Sequence, residues 1–287
     1  MGVRKNIIRI GFAGLIAVVA YGVQAAPDNA LAESQATSPL PDPADSVTAQ
    51  KSLERLIAEQ IALTSIGAHV VWLSPGAGEY LGMFRASDRQ PPNGALIYNI
   101  KPGDAVENSP LQRAIVDMAA AAGWDTLAIQ QLENTGKLES DALVKQRIER
   151  VNGAIEYMRN RSIENIVIVG DAAGANIALR CVNENSPESV VAVVGIGYWD
   201  EEIADDGIQI LEIIGTTDGR ATHAHKRRKA KTKTRKIPVE SIQVDGADAS
   251  FSGFEMLVAK RLKGWLVRST PGKVVKRRAR TGRLDGG

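Results

Sequence analysis

The chain has 287 residues, of which 44% are hydrophobic and 24% charged, proportions that allow a sizeable core and exclude wholesale disorder. A formal net charge of +2 conceals an asymmetry: residues 26–218 hold 13 Lys and Arg against 28 Asp and Glu, whereas residues 219–287 hold 19 against 5. One cysteine, Cys181, excludes an intramolecular disulfide, so stability has to come from the core.

The first elements form a targeting segment. Arg4, Lys5 and Arg9 precede an apolar stretch from Ile10 to Val23, and small residues stand at Val23–Ala26. Basic, apolar and small in that order is the signature of a secretory signal peptide, expected over residues 1–25. The apolar stretch is shorter than the roughly 20 residues that span a bilayer, so no stable membrane span is expected after cleavage. Residues 26–50, with Ser38, Pro39, Pro41 and Pro43, are expected to be a flexible linker.

The body, residues 51–268, alternates between helix and strand patterns. Leu53, Leu56, Ile57 and Ile61 recur at helical spacing. His69–Ser74 and Tyr80–Ala86, separated by Pro75–Gly78, predict a β-hairpin. Ala95–Ile100 is almost wholly apolar, Asn99 apart, as a strand covered on both faces should be. Ser109, Pro110 and Gln112 predict a helix start with a capping box, and Gly123 its stop. Strands follow at Thr126–Gln131, Asn165–Gly170, Val190–Gly195, Ile208–Gly215 and Val239–Val244, with helices at Ser140–Asn160, Ala173–Asn183 and Ser252–Val267. Such alternation predicts an α/β fold with a mostly parallel central sheet, helices on both faces and an N-terminal β-hairpin.

The segment Ile166–Leu179 carries the most specific pattern: a strand, then Gly170, Asp171, Ala172, Ala173 and Gly174, then a helix. Two glycines bracketing a tight strand-to-helix turn are the frame of a nucleophile elbow. Trp72 and Leu73, Ala95–Ile100, Gly123–Leu127, Leu211–Asp218 and Arg261–Leu266 accompany it in order. Together they resemble the α/β-hydrolase superfamily, and within it a bacterial α/β-hydrolase-like family catalogued as a domain of unknown function (family 3530). The likeness covers residues 50–268 and implies a fold, since that family has no settled activity.

The resemblance also assigns positions. The nucleophile position holds Ala172, the late-strand acid position Asp218, and the histidine position, in the loop Gly246–Phe251, holds Ala249 or Ser250. The resemblance therefore implies a vestigial triad and a leaning away from enzymatic function. Backbone amides at Ala173 and within Ile100–Gly103, Ile100 first, would form an oxyanion-hole-like notch. Asp171 is a weak candidate for a displaced carboxylate nucleophile; alternatively, it is an anion favoured by a helix N-terminus. Ser74, Ser87 and Ser250 are hydroxyls without a flanking motif.

Outside the elbow, His223 and His225 after Asp218 are weak metal candidates, since an i,i+2 pair converges on a strand and diverges on a helix. No cofactor is expected. His225–Lys236 holds eight Lys and Arg in twelve residues, and Gly272–Arg283 six more. Lys226, Arg227, Arg228, Lys229, Arg277 and Arg278 are the expected polyanion-binding residues, the last two in a basic tail over 269–287. Without aromatic interleaving or a nucleic-acid-binding signature, nucleic acid is not the expected partner. An anionic envelope component, an acidic protein, or the acidic body of a second copy is.

Overall fold

The computed structural model describes residues 53–270 other than 62, 64–66, 75–77, 134–139, 186, 201, 202 and 204–206. The expected signal peptide and linker, nearly all of the basic tail including Arg277 and Arg278, and most of the turn between the first two strands lie outside the described residues.

Among the described residues the strands are β1 (His69–Leu73), β2 (Tyr80–Arg85), β3 (Gly94–Asn99), β4 (Trp124–Ile129), β5 (Ile166–Asp171), β6 (Val190–Ile196), β7 (Gln209–Gly215) and β8 (Val239–Val244). They form one sheet in the order β1-β2-β4-β3-β5-β6-β7-β8. β1 and β2 pair antiparallel, as do β2 and β4, and every later pairing is parallel. The hairpin is thus an antiparallel extension of a parallel sheet, as the sequence predicts.

Helix α1 covers residues 53–61; α2 is Pro110–Ala121, α3 Asp141–Asn160, α4 Ala173–Asn185, α5 Gly219–Lys231 and α6 Glu255–Ser269. Period-two alternation along the strands divides the core between the two faces of the sheet. On one face Leu96, Tyr98, Val167 and Val169 pack with Ile115 and Val116 of α2 and Leu262 and Trp265 of α6. On the other, Ala95, Ile97, Ile166 and Ile168 pack with Val151 and Ile155 of α3 and Ile177 and Cys181 of α4.

One local expectation is corrected, and one segment packs in a way its composition does not suggest. Ser109 caps α2 by accepting from the Gln112 amide at 3.2 Å, but Gln112 Oε1 reaches past it to the Glu107 amide at 3.3 Å, so the capping box is not reciprocal. The basic segment after Asp218, which has no apolar stripe, nevertheless forms a packed helix. α5 buries Ala221, Ala224, His225 and Arg228, and the two ionisable residues are accommodated by Glu212 of β7, itself 2% exposed. Arg228 Nε donates to Glu212 Oε1 at 2.6 Å, and His225 Nδ1 lies 2.5 Å from Glu212 Oε2. A buried carboxylate replaces the hydrophobic contact the sequence lacks.

Candidate functional site

The turn between β5 and α4 is built by steric necessity. A Cβ on Gly170 would overlap the backbone of Ala175, and one on Gly174 would overlap the Asn99 carbonyl oxygen. Only glycine lets the helix start so close to the ends of β5 and β3. Asn99 Nδ2 donates to the Gly174 carbonyl at 2.8 Å, and Gln131 Nε2 donates to Asn99 Oδ1 at 2.5 Å, so the turn is tied to β3 and to the segment after β4. Ala172 sits at the apex with φ of 46°, a left-handed conformation that costs an L-residue about 1–2 kcal/mol. Its amide donates to the Ile196 carbonyl at 2.8 Å.

A cavity of about 350 Å³ opens beside this apex, lined among others by Asp171, Ala172, Ile196, Ala249, Ser250 and Phe251. It lies where the carboxyl ends of parallel strands meet, the usual place for a ligand in an open α/β sheet. Lys101 and Asp104, from the turn after β3, and Glu255, from the start of α6, also line it. Burial pushes the Asp171 carboxyl up to about 6; Lys101 and its amide work against the rise, and Asp104 adds to it. Tyr98, fully buried beside Asp171, has its hydroxyl pushed well above the ordinary range by burial and by that carboxylate. The Tyr98 hydroxyl and the Asp171 carboxyl are each other's buried polar neighbours, at a geometry looser than an ordinary hydrogen bond.

Known structures superpose on most of the chain. A dienelactone hydrolase from Anabaena variabilis aligns with a TM-score of 0.60 at 21% identity, covering 70% of this chain and 97% of its own. An α/β serine hydrolase without a lid from Xanthomonas campestris gives 0.58 at 13% identity, covering 73% and 98%. The chain has the α/β-hydrolase fold. An esterase from Pyrobaculum calidifontis aligns comparably, with a TM-score of 0.59, 14% identity and coverage of 79% and 94%. At these identities the likeness is one of fold. Neither a protein-family model nor a curated protein matches the chain.

Two of the three inferred triad positions line one cavity, and the third borders the same glycine, Gly197, as one of them. Ala172 and Ala249 both line the cavity. Asp218 Oδ2 and the Ala249 carbonyl oxygen each lie within 4 Å of where a side chain on Gly197 would begin. Asp218 has a structural task as well: its Oδ1 caps α5, accepting from the amides of Arg220 at 3.1 Å and Ala221 at 3.0 Å. Ala173 opens α4 as expected. At Ile100 it is the carbonyl that lies against Gly174, and the amide turned toward the Asp171 carboxylate is that of Lys101.

The other candidates separate. His223 is exposed and His225 buried against Glu212, so the pair diverges on α5 and does not form a metal site. Among the described residues no group of three His, Cys, Asp or Glu side chains is placed to hold a metal ion. Lys226, Arg227 and Lys229 lie on the exposed face of α5, but Arg228 does not. It is 1% exposed, stacks over the Tyr198 ring at 3.9 Å and donates to the carbonyls of Tyr198 and Asp200, so it is an internal strut and not a polyanion contact. Ser250 reaches the cavity, and its Oγ donates to Asp248 Oδ1 at 2.7 Å within a tight turn. Burial pushes the Cys181 thiol up to about 12, leaving it unreactive. Lys101, Asp104 and Glu255 are cavity residues that sequence reasoning missed. The turn Pro102–Asp104 directly after a buried parallel strand was the available signal for the first two.

Proposed function

We propose that this protein is a non-catalytic α/β-hydrolase-fold protein, exported to the cell envelope, that works by binding a small ligand in the cavity beside Ala172. The observation that carries this reading is that Ala172 at the elbow apex and Ala249 in the loop assigned to the base both line one cavity, with no histidine lining it among the described residues. Without a hydroxyl or thiol at the apex no covalent acyl intermediate forms there. What remains after loss of triad members is typically about 10³–10⁴-fold over water, from backbone donors and binding alone. The strained turn and its two obligatory glycines persist around a methyl group, which fits a site kept for its shape.

The finer likeness to the family of unknown function catalogued as 3530 belongs to this reading, as does export through residues 1–25. In the envelope the exposed cations of α5 face anionic head groups, envelope polymers or acidic protein surfaces. Lys226, Arg227 and Lys229 are the contacts we assign to such a partner, with Arg277 and Arg278 of the tail. No helix of the described residues is long and apolar enough to cross a membrane.

A fluorophosphonate probe tests the reading. Unchanged intact mass after prolonged exposure is the expected result; a stoichiometric adduct mapping to Ser250 or another serine would favour the second reading. That reading is an envelope esterase or amidase with a displaced site, and the observation on its side is the Ser250 hydroxyl, which lines the cavity and bonds to a carboxylate.

A further inference from the structure

We infer that the outer face of α6 docks on an anionic phospholipid bilayer. This face belongs neither to the elbow cavity nor to the α5 contacts assigned above, and it stands apart from both. The inward side of the helix packs into the core through Val258, Ala259, Leu262, Trp265 and Leu266. The outward side carries two neighbouring stripes at helical spacing, Met256, Lys260, Lys263 and Val267, then Leu257, Arg261, Gly264 and Arg268, all exposed. Met256, Leu257 and Val267 are 53%, 41% and 64% exposed, so apolar side chains project among the cations instead of being segregated from them.

Charge and apolar content together select the partner. Neither stripe holds an acidic residue. Arg268 lies 3.3 Å from Glu240, whereas Lys260, Arg261 and Lys263 make no ion pair among the described residues. The chain beyond Thr270 adds six Lys and Arg against one Asp, so the sequence continues basic from the end of the helix. An anionic bilayer suits both kinds of side chain at once. Head groups take the ammonium and guanidinium groups, and the boundary below them takes Met256, Leu257 and Val267. A soluble polyanion would use the cations and leave the apolar side chains in water. A second copy meeting this face across a two-fold axis would set cation against cation. α5 does not share the same flat contact: Leu211 and Ile213 of β7 pack on the α6 side of the sheet, and Glu212 between them holds α5 on the other.

Co-sedimentation of the full chain with phosphatidylcholine vesicles, and with vesicles that also contain phosphatidylglycerol, tests this. Comparing variants with the parent on the same vesicles cancels what the rest of the chain contributes. The triple change Lys260→Gln, Arg261→Gln and Lys263→Gln is expected to weaken binding to the mixed vesicles by about 10²-fold, roughly fivefold for each charge. Met256→Ser, Leu257→Ser and Val267→Ser together should weaken it at least about tenfold, from apolar area left in water, while binding to soluble heparin stays at the parent level. Lys226→Gln with Lys229→Gln on α5 should leave vesicle binding unchanged. All these side chains are exposed, and melting of each variant confirms that it folds. A parent that ignores the mixed vesicles, or an α6 cation variant that binds them like the parent, would overturn the inference. Loss on the α5 change alone would also overturn it, and would leave the α5 assignment standing. Parent-like vesicle binding by the apolar variant would overturn the bilayer as partner in favour of a soluble polyanion.

Discussion

Gly174 lies against the carbonyl oxygen of Asn99 with no room for a Cβ between them, and this contact fixes how deeply α4 enters the sheet. The consequence is a reversal of ordinary helix propensity. In an open helical position Gly→Ala gains about 0.5–1 kcal/mol. Gly264 of α6 is such a position, with open space for 4 Å around the point where a side chain would begin. Gly264→Ala is expected to raise the denaturation midpoint, whereas Gly174→Ala should lower stability by about 1–3 kcal/mol through overpacking. Urea unfolding of both variants reads the two signs side by side.

Arg228 carries a different kind of weight from its basic neighbours. Removing it leaves Glu212 buried with His225 as its remaining partner, and breaking a buried ion pair costs about 3–5 kcal/mol. Arg228→Ala should therefore unfold far more readily than Lys226→Ala or Lys229→Ala, which lie on the exposed face and should stay within about 0.5 kcal/mol of the parent. Retention on an anionic resin should show the converse ranking, with the two lysines mattering and Arg228 not.

Asp171 makes stability depend on pH. Its folded-state value of about 6 lies above the ordinary 3.8, so the folded protein holds this proton more tightly than the unfolded chain does. The penalty is absent below about pH 4, grows between 4 and 6, and is fully present above 6. Asp171→Asn should thus stabilise the protein by about 2–3 kcal/mol at pH 8, with the gain fading by pH 4. A gain of the same size at both pH values would show that ionisation is not its source.

Much of this molecule is legible in the sequence, and the reasons are local. Ala95–Ile100 and Asn165–Gly170 lack polar residues at alternate positions because both faces of a parallel strand are covered, and the structure pairs them directly, Asn99 opposite Gly170. Gly170 and Gly174 mark the elbow because nothing larger fits. α5 is harder to read, since its packing depends on Glu212, a carboxylate on the preceding strand, and its composition alone describes a solvated segment. The same distance effect hides Arg228, which sits in a run of like residues and differs from them only by facing Glu212. Lys101 and Asp104, from the turn after β3, and Glu255, from the start of α6, line one cavity although they are far apart in the chain, and no spacing in the sequence records that meeting.

The placement of the vestigial positions predicts a gain of function. With Asp218 Oδ2 and the Ala249 carbonyl oxygen both bordering Gly197, and Ala172 and Ala249 lining one cavity, Ala172→Ser combined with Ala249→His tests whether nucleophile and base can be supplied to Asp218. The double variant is expected to hydrolyse nitrophenyl acetate at least about 10²-fold faster than either single variant, the lower range for a positioned general base. Equal rates for all three would mean that the positions do not align as a triad.

The central claim is that the natural chain binds without turning over, and hydrolysis of short-chain nitrophenyl esters by the purified protein, with and without chelator, tests it most directly. Rates indistinguishable from buffer are expected in both conditions. Turnover that survives repurification, and that is lost on adding chelator or on substituting Asp171 or Ser250, would contradict it.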